Sequence, residues 1–229
     1  HDAHASNSEG LLNDDAHAPF AGGDCETCHS LPDANGKVAF EEGASPGGLC
    51  AACHDDIIEN LSKSHPHPAV EADNCDNCHS PHSSRFGSLL RDSQGAICGE
   101  CHDGVLTGEG QKPHMPVVTG DCSGCHEVHG SDNAALVKAD DATLCLGCHK
   151  DFAQSRDAAA NVHAALDDCL GCHKPHEGIA EKLLRAPVVE LCAGCHEPDR
   201  EALNAASGHQ PYMTGECSDC HLPHFSDTP

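Results

Sequence analysis

The stretch Cys75-Asp76-Asn77-Cys78-His79-Ser80-Pro81-His82 contains the pattern that organises the whole chain. Its first five residues form a Cys-x-x-Cys-His pentad, and this pentad occurs nine times. The pentads use all 18 cysteines, which are Cys25, Cys28, Cys50, Cys53, Cys75, Cys78, Cys98, Cys101, Cys122, Cys125, Cys145, Cys148, Cys169, Cys172, Cys192, Cys195, Cys217 and Cys220. The histidines that end the pentads are His29, His54, His79, His102, His126, His149, His173, His196 and His221. Because no cysteine is left over, one chemical role for every pentad is indicated.

That role is the covalent attachment of haem c. Two thiols add to the vinyl groups of the porphyrin, and the adjacent histidine is then held against the iron as its proximal ligand. Paired cysteines also occur in zinc sites and disulfide frameworks. However, a zinc ribbon does not require a histidine after every pair, and a disulfide framework does not repeat one gap nine times. The sequence therefore predicts nine haem c groups, with the nine pentad histidines as proximal ligands.

The composition limits the kind of fold that the chain can form. Its 229 residues include no Trp, one Tyr and five Phe. Such a chain buries little apolar core of its own, so we expect the porphyrin faces to supply apolar surface and folding to depend on haem attachment. Pro and Gly between the pentads predict irregular backbone. The predicted fold is mostly irregular coil, with short α-helices wrapped round a linear haem array and little or no β-sheet. Short helices are expected at the pentads, at Ala180–Leu184 and at Ala202–Ala206.

The formal net charge is −25, which makes nucleic acid and anionic membrane surfaces poor partners. Basic proteins, metal ions and mineral surfaces remain open as partners, and the acidity could equally serve solubility alone. Because haem c is attached outside the cytoplasm, we expect an exported protein. The polar start at His1 is typical of a processed chain. No apolar run approaches the length of a membrane span, so no direct membrane insertion is expected.

Two kinds of pentad alternate along the chain. Pentads three, five, seven and nine have a second histidine three residues after the proximal one, namely His82, His129, His176 and His224, whereas pentad one has Pro32 there. A further histidine precedes each odd-numbered pentad, namely His17, His67, His114, His163 and His209. The chain thus reads as a single haem-packed unit built of about four and a half two-haem repeats. Their predicted bounds are 17–66, 67–113, 114–162, 163–208 and 209–229, after an N-terminal extension over 1–16.

These nine additional histidines equal the predicted haems in number. If each serves as the distal ligand of one iron, every haem has two axial imidazoles and no open position, so its iron exchanges electrons and does not bind substrate. Met115 and Met213 are the two methionines, so His/Met ligation cannot be general. The remaining histidines, His1, His4 and His65, have no assigned role, and His65 competes with His67 as a candidate ligand.

The sequence leaves the pairing of ligands open. A histidine that precedes an odd pentad could fold over the haem of its own pentad, so that these five histidines serve haems one, three, five, seven and nine. The histidine that follows an odd pentad could reach backward to haems two, four, six and eight, which makes the chain self-sufficient. It could instead reach forward, leaving haem two without a ligand and His224 spare. Those two defects would cancel between successive copies of a head-to-tail polymer, in which His1 or His4 could also reach a neighbour.

The alternation of Cys-His-x-Pro-His and Leu-Cys-x-x-Cys-His from Cys25 to His224 resembles the doubled-CXXCH class of multihaem cytochromes c. That class includes periplasmic electron shuttles, haem conduits held in outer-membrane porins and extracellular cytochromes that polymerise. The resemblance implies bis-histidine haems in alternating stacked and T-shaped contacts, forming one continuous chain.

Long-range electron transfer is the function that these features predict, and we expect no enzyme activity. Within this function, an extracellular head-to-tail filament of this chain, a nanowire, is favoured narrowly over a soluble periplasmic or porin-associated carrier. A multihaem oxidoreductase with one open haem is the other alternative. The expected partners are other redox proteins or extracellular electron acceptors, together with further copies of the chain.

Overall fold

The computed structural model describes residues 13–40, 45–70, 74–105, 111–197 and 206–228. The described α-helices are short, with bounds Ala18–Gly22, Pro46–Ala51, Asp55–Asn60, Gln94–Gly99, Met115–Val118, Asp141–Leu146, Lys150–Ala158, Cys169–Cys172, Val188–Ala193 and Gln210–Thr214. The described 3₁₀ helices are Cys25–Thr27, Cys75–Asn77, Gly87–Leu89, Asp103–Val105, Cys122–Gly124, Ala134–Leu136, Glu181–Leu183 and Cys217–Asp219. Most of the remaining backbone is irregular, which confirms the predicted fold class. No helix among the described residues is both long and apolar enough to cross a bilayer.

Eight two-residue strands form four antiparallel pairs. The strands are β1 (Asp15–Ala16), β2 (His65–Pro66), β3 (Ser83–Ser84), β4 (Lys112–Pro113), β5 (Gly130–Ser131), β6 (Asn161–Val162), β7 (Glu177–Gly178) and β8 (Phe225–Ser226). The pairs are β1 with β3, β2 with β5, β4 with β7 and β6 with β8. Each pair joins the residues before one odd pentad to the residues after the next odd pentad. The sheets are therefore small, as predicted, but each connects two different repeats.

The chain divides into two compact units. The first comprises His1–His102 and Thr119–Lys138, and the second comprises Asp103–Val118 and Ala139–Pro229. The first unit contains the pairs β1–β3 and β2–β5, in which Ala16 faces Ser83 and Pro66 faces Gly130. The second unit contains the pairs β4–β7 and β6–β8. Each unit thus contains two of these antiparallel strand pairs, and each such strand pair is called a ladder below.

Local sequence signals explain where several elements begin and end. The side chain of Ser45 accepts a hydrogen bond from the Gly48 amide, and that of Asp140 accepts one from the Thr143 amide, so each caps the start of a helix. Gly23 ends its helix with a φ of 79°, which glycine adopts without steric cost. Pro66 lies in a strand of a two-stranded sheet, where its missing amide hydrogen breaks no second ladder.

Three tight loops have an unusual backbone for the residues that they contain. The pairs Ser88-Leu89, Ala135-Leu136 and Lys182-Leu183 all have φ between 54° and 61°. Left-handed backbone costs a non-glycine residue about 1–2 kcal/mol. Where a short helix was predicted over Ala180–Leu184, the structure has a 3₁₀ turn over Glu181–Leu183, and this turn departs from a regular helix because Lys182 and Leu183 have left-handed backbone. The helix predicted over Ala202–Ala206 lies, apart from its last residue, outside the described residues.

Among the described residues, no apolar side chain is fully buried, and the buried polar side chains are Ser84 and Ser131. The Ser131 hydroxyl donates to the Val137 carbonyl oxygen at 2.7 Å and accepts from the Asn133 amide at 3.0 Å. Ser84 holds the corresponding loop through the Leu90 carbonyl and the Phe86 amide. The protein part of each ladder is therefore fixed by hydrogen bonds and not by an apolar cluster.

Gly130 lies where a side chain has no room. A Cβ atom there would overlap the carbonyl oxygen of Asn60 and lie 3.4 Å from the Cα of Pro66. Gly130→Ala should therefore lower the free energy of unfolding by about 1–3 kcal/mol, as overpacking does. The measurement is guanidinium denaturation of the haem-loaded protein, followed by haem absorption. Gly87→Ala is the matched control, since nothing lies within 4 Å of its Cβ position. Equal stabilities of the two variants would contradict the proposed close approach.

Candidate haem-binding sites

All nine pentads share one backbone turn. In each, the amide of the histidine donates to the carbonyl oxygen of the first cysteine, four residues earlier, at 2.8–3.1 Å. A turn of this kind brings residues three and four apart to the same side of the backbone. The two thiols and the imidazole of one pentad can therefore reach the edge and the iron of one porphyrin. The even pentads place this turn at the end of an α-helix, whereas pentads one, three, five and nine begin it with a 3₁₀ helix.

Seven of the pentad histidines face a second imidazole within their own unit, with ring centroids 6.0–6.2 Å apart. The pairs are His17 with His54, His29 with His82, His67 with His102, His79 with His129, His114 with His149, His163 with His196, and His173 with His224. A metal–imidazole bond is about 2 Å long, and a ring nitrogen lies about 1 Å from its ring centre, so two imidazoles on one metal ion have centroids about 6 Å apart. The observed spacing fits an iron between each pair of rings.

The ladders explain how two distal histidines are placed side by side. The His17 amide donates to the His82 carbonyl oxygen at 2.9 Å, directly beyond the paired residues of β1 and β3. The same bond joins His67 to His129 at 3.0 Å, His114 to His176 at 2.8 Å, and His163 to His224 at 2.9 Å. Within one unit the two joined histidines face different pentads, since His17 faces His54 and His82 faces His29. One ladder therefore serves two neighbouring haem sites.

The ring pairs differ from both pairing schemes that the sequence suggested. His17 faces the histidine of pentad two and not that of its own pentad, and His67, His114 and His163 likewise face the next even pentad. His82 faces pentad one, so it reaches two pentads back. Neither the backward nor the forward scheme anticipated this arrangement. The physical reason is the ladder, which places residues 15–17 beside residues 82–84 and turns the two imidazoles to different haem sites.

Several candidate distal histidines pack against aromatic rings or are partly buried. The ring of Phe20 lies 5.0 Å from that of His82, and the ring of Phe152 lies 5.0 Å from that of His224. Burial, with a smaller effect of His79, lowers the pKa of His129, and burial with His173 lowers the pKa of His224. Burial and His102 lower the pKa of His67 in the same way. These imidazoles are thus neutral at pH 7, the form that binds a metal ion.

The proximal histidines of the first four odd pentads are also held through Nδ1. The ring nitrogen of His79 lies 2.9 Å from the Ser88 carbonyl oxygen, that of His126 lies 2.9 Å from Ala135, and that of His173 lies 2.7 Å from Lys182. His29 makes a longer contact of 3.4 Å with the Ala39 carbonyl oxygen. A hydrogen bond at Nδ1 leaves Nε2 as the nitrogen for the iron.

The residues that supply these carbonyls were not among the predicted site residues. The signal was present as a repeat that begins nine residues after the proximal histidines of pentads three, five and seven, namely Ser88-Leu89-Leu90-Arg91, Ala135-Leu136-Val137-Lys138 and Lys182-Leu183-Leu184-Arg185. In each repeat, the backbone amide of the basic residue donates a hydrogen bond to the carbonyl oxygen of the second cysteine of the pentad, as the Arg91 amide does to Cys78 at 2.9 Å. The repeat therefore ties a loop against its own pentad.

Pentads four and six approach the next odd pentad through their first cysteines. The helix Asp141–Leu146 packs against Cys169–Cys172, and ligand atoms of Asp141, Cys145 and Cys169 lie within 4.8 Å of one another. Before haem attachment, burial of the free thiol, with Cys169 and Asp141 nearby, raises the pKa of Cys145 to about 12. Burial, with Cys122 nearby, likewise raises the pKa of the free Cys98 thiol to about 11. Haems attached at these cysteines would have neighbouring edges, and each such pair of cysteines links an even pentad to the next odd one.

The other predicted ligands have different surroundings. His209 precedes the helix Gln210–Thr214, and His221 ends the last pentad, but neither ring faces another imidazole within the part of the chain that the structure describes. His65 lies exposed in β2, where its backbone pairs with Ser131. His1 and His4 lie outside the described residues.

A chain of repeated Cys-x-x-Cys-His turns, with a second imidazole opposite most of the pentad histidines, is a multihaem c-type cytochrome, and its function is electron transfer. The family described as "Doubled CXXCH motif" matches residues 17–59, 67–106, 114–154, 163–201 and 209–229, and the chain belongs to that family. A search of curated proteins finds no match to the chain. As a c-type cytochrome, the protein is exported, because haem c is attached outside the cytoplasm.

The ring pairs predict which haem each distal histidine serves. His82→Ala should leave haem one with a single imidazole, since His82 faces His29, and one haem should change from low to high spin in the electron paramagnetic resonance spectrum. Combining His82→Ala with Cys25→Ala and Cys28→Ala, which remove haem one, should add no high-spin signal. A new signal in that combined variant would show that His82 serves another haem.

Proposed function

We propose that the chain carries nine haem c groups, each with two imidazole ligands, and that it conducts electrons as a subunit of an extracellular head-to-tail filament. The observation that carries the coordination is the spacing of 6.0–6.2 Å between facing imidazoles in seven pairs. Iron held on both faces has no position for substrate, so this coordination supports an electron carrier and not an enzyme.

The spacing of the sites also supports conduction. Within one unit, a ladder places the distal ligands of haems one and two on hydrogen-bonded residues, His82 and His17. The first cysteines of pentads six and seven, Cys145 and Cys169, lie close together in the other unit. One kind of contact, the bond between two distal histidines, joins an odd site to the next even site. The other, the approach of two first cysteines, joins an even site to the next odd site. Short separations of this kind are what electron tunnelling between haems requires.

Haem number and coordination can be tested on the purified protein. The intact mass should exceed that of the polypeptide by nine haem groups, because every pentad has the same turn. The reduced protein should bind no carbon monoxide, since no iron has an open site, and nitrite and hydroxylamine should not be turned over. A mass showing fewer haems would refute the haem number. Binding of carbon monoxide by the native protein would favour the oxidoreductase alternative.

The filament proposal rests on His209 and His221. His209 has the same local structure as His17: each is the residue before a five-residue helix that starts with proline in its first turn and ends at a left-handed glycine, Gly215 or Gly23. His17 faces the histidine of a haem site, whereas His209 faces none within the described residues. We infer that a second copy of the chain supplies the partners of both His209 and His221.

Cryo-electron microscopy of the native protein and two variants tests this assembly. The native protein should form filaments in which the haem at His221 and the imidazole of His209 lie at a junction between copies. His209→Ala should shorten or abolish the filaments. His65→Ala is the matched control, because His65 is an exposed histidine whose ring faces no other imidazole among the described residues. Discrete particles of the native protein would instead support the soluble periplasmic or porin-associated carrier.

A further inference from the structure

We propose that the left-handed loops after pentads three, five and seven lower the reduction potentials of their haems below those of the even-numbered haems. The residues responsible are Ser88, Ala135 and Lys182, whose backbone carbonyls face Nδ1 of the proximal histidines. The proposal rests on the coordination proposed above. It assigns a tuning role to loops that touch no iron.

The hydrogen bonds at these three sites are short and alike. The distances from Nδ1 to the carbonyl oxygen are 2.9 Å for His79, 2.9 Å for His126 and 2.7 Å for His173. Because the oxygen can only accept, the imidazole donates its Nδ1 hydrogen, and the ring gains anionic character. A more basic imidazole stabilises ferric over ferrous iron and so lowers the potential.

The loops hold each carbonyl in place at a conformational cost. In each loop, the residue that supplies the carbonyl and the leucine after it both have positive φ, as Ser88 and Leu89 do at 56° and 55°. None of the six residues is glycine, so each loop contains two residues with strained backbone. Strained backbone that persists at a ligand site points to a function for the geometry it maintains.

The ladder helps to maintain that geometry. The buried hydroxyl of Ser131 bonds to both ends of the loop that contains Ala135, through the Asn133 amide and the Val137 carbonyl oxygen. Ser84 makes the equivalent bonds around Ser88. Since β3 and β5 also position the distal histidines His82 and His129, the ladder connects distal ligation at one haem to proximal tuning at another.

The even pentads lack this feature. His54 and His149 each precede a helix that begins at the next residue, so the chain turns away and no loop returns to the imidazole. Among the described residues, no protein oxygen accepts a hydrogen bond from the rings of His54, His102, His149 or His196. The even haems should therefore have the higher potentials. Haem one should lie between the two groups, because its contact with the Ala39 carbonyl oxygen is 3.4 Å long.

Substitution of Leu89 tests the loop without changing charge or a ligand. Leu89→Pro cannot keep the φ of 55°, since proline fixes φ near −65°, and it also forces Ser88 out of the helical regions. The Ser88 carbonyl should then leave His79. Leu89→Gly is the matched control, because it loses the same side chain but keeps the left-handed backbone without strain.

The potential of each haem is read by exchange NMR of haem methyl signals during a redox titration of the haem-loaded protein. Leu89→Pro should raise the reduction equilibrium constant of haem three about tenfold, which is about 59 mV for one electron, while Leu89→Gly leaves it unchanged. Leu136→Pro should do the same at haem five. Equal potentials of haem three in the two Leu89 variants would overturn the proposal.

Two further readouts separate the possible failures. Should Leu89→Pro yield no haem-loaded protein, the order of potentials in the native protein decides the matter, and haems three, five and seven above the even haems would refute the tuning role. Failure of the proposed coordination has a different signature, namely high-spin iron in the native protein.

Discussion

The backbone hydrogen bond between two distal histidines from different repeats organises this cytochrome. The bond from the His17 amide to the His82 carbonyl oxygen joins residues 65 positions apart, and three further bonds join residues at similar separations. Each bond lies beside a ladder with only two residues in each strand, yet it fixes which imidazole faces which pentad. A short ladder is sufficient because covalent attachment holds the other half of each site, the pentad, on its porphyrin.

A chain held in this way can do without a conventional core. No apolar side chain is fully buried among the described residues, and the buried polar ones, Ser84 and Ser131, bond to backbone. Large apolar side chains such as Leu31 and Leu222 remain exposed on the polypeptide. Porphyrins are large flat apolar surfaces, so their attachment gives such side chains something to pack against. We therefore expect folding to depend on haem attachment.

The two alternating kinds of pentad differ in the segment that follows the proximal histidine. Pentads one, three, five and seven are followed by a loop that returns to the proximal imidazole, whereas pentads two and six are followed by a helix that begins at the next residue. The two kinds of site therefore differ in the surroundings of the iron although their covalent attachment is the same. A repeat of two haems, and not of one, is the smallest unit that contains both environments.

Family, haem attachment and fold class could be read from the sequence, because the spacing of Cys and His within a pentad is a local property that one helical turn converts into geometry. The set of candidate distal histidines could also be read from their recurrence. Their pairing could not: His17 and His54 are brought together by a ladder with residues 83–84, and two-residue strands leave no periodic signal. The left-handed loop at Ala180–Leu184 was likewise hidden, because its residues favour a helix when considered alone. The sequence by itself determined what the protein carries, whereas the tertiary structure decided which histidine faces which pentad, because that arrangement depends on hydrogen bonds between residues more than 60 positions apart.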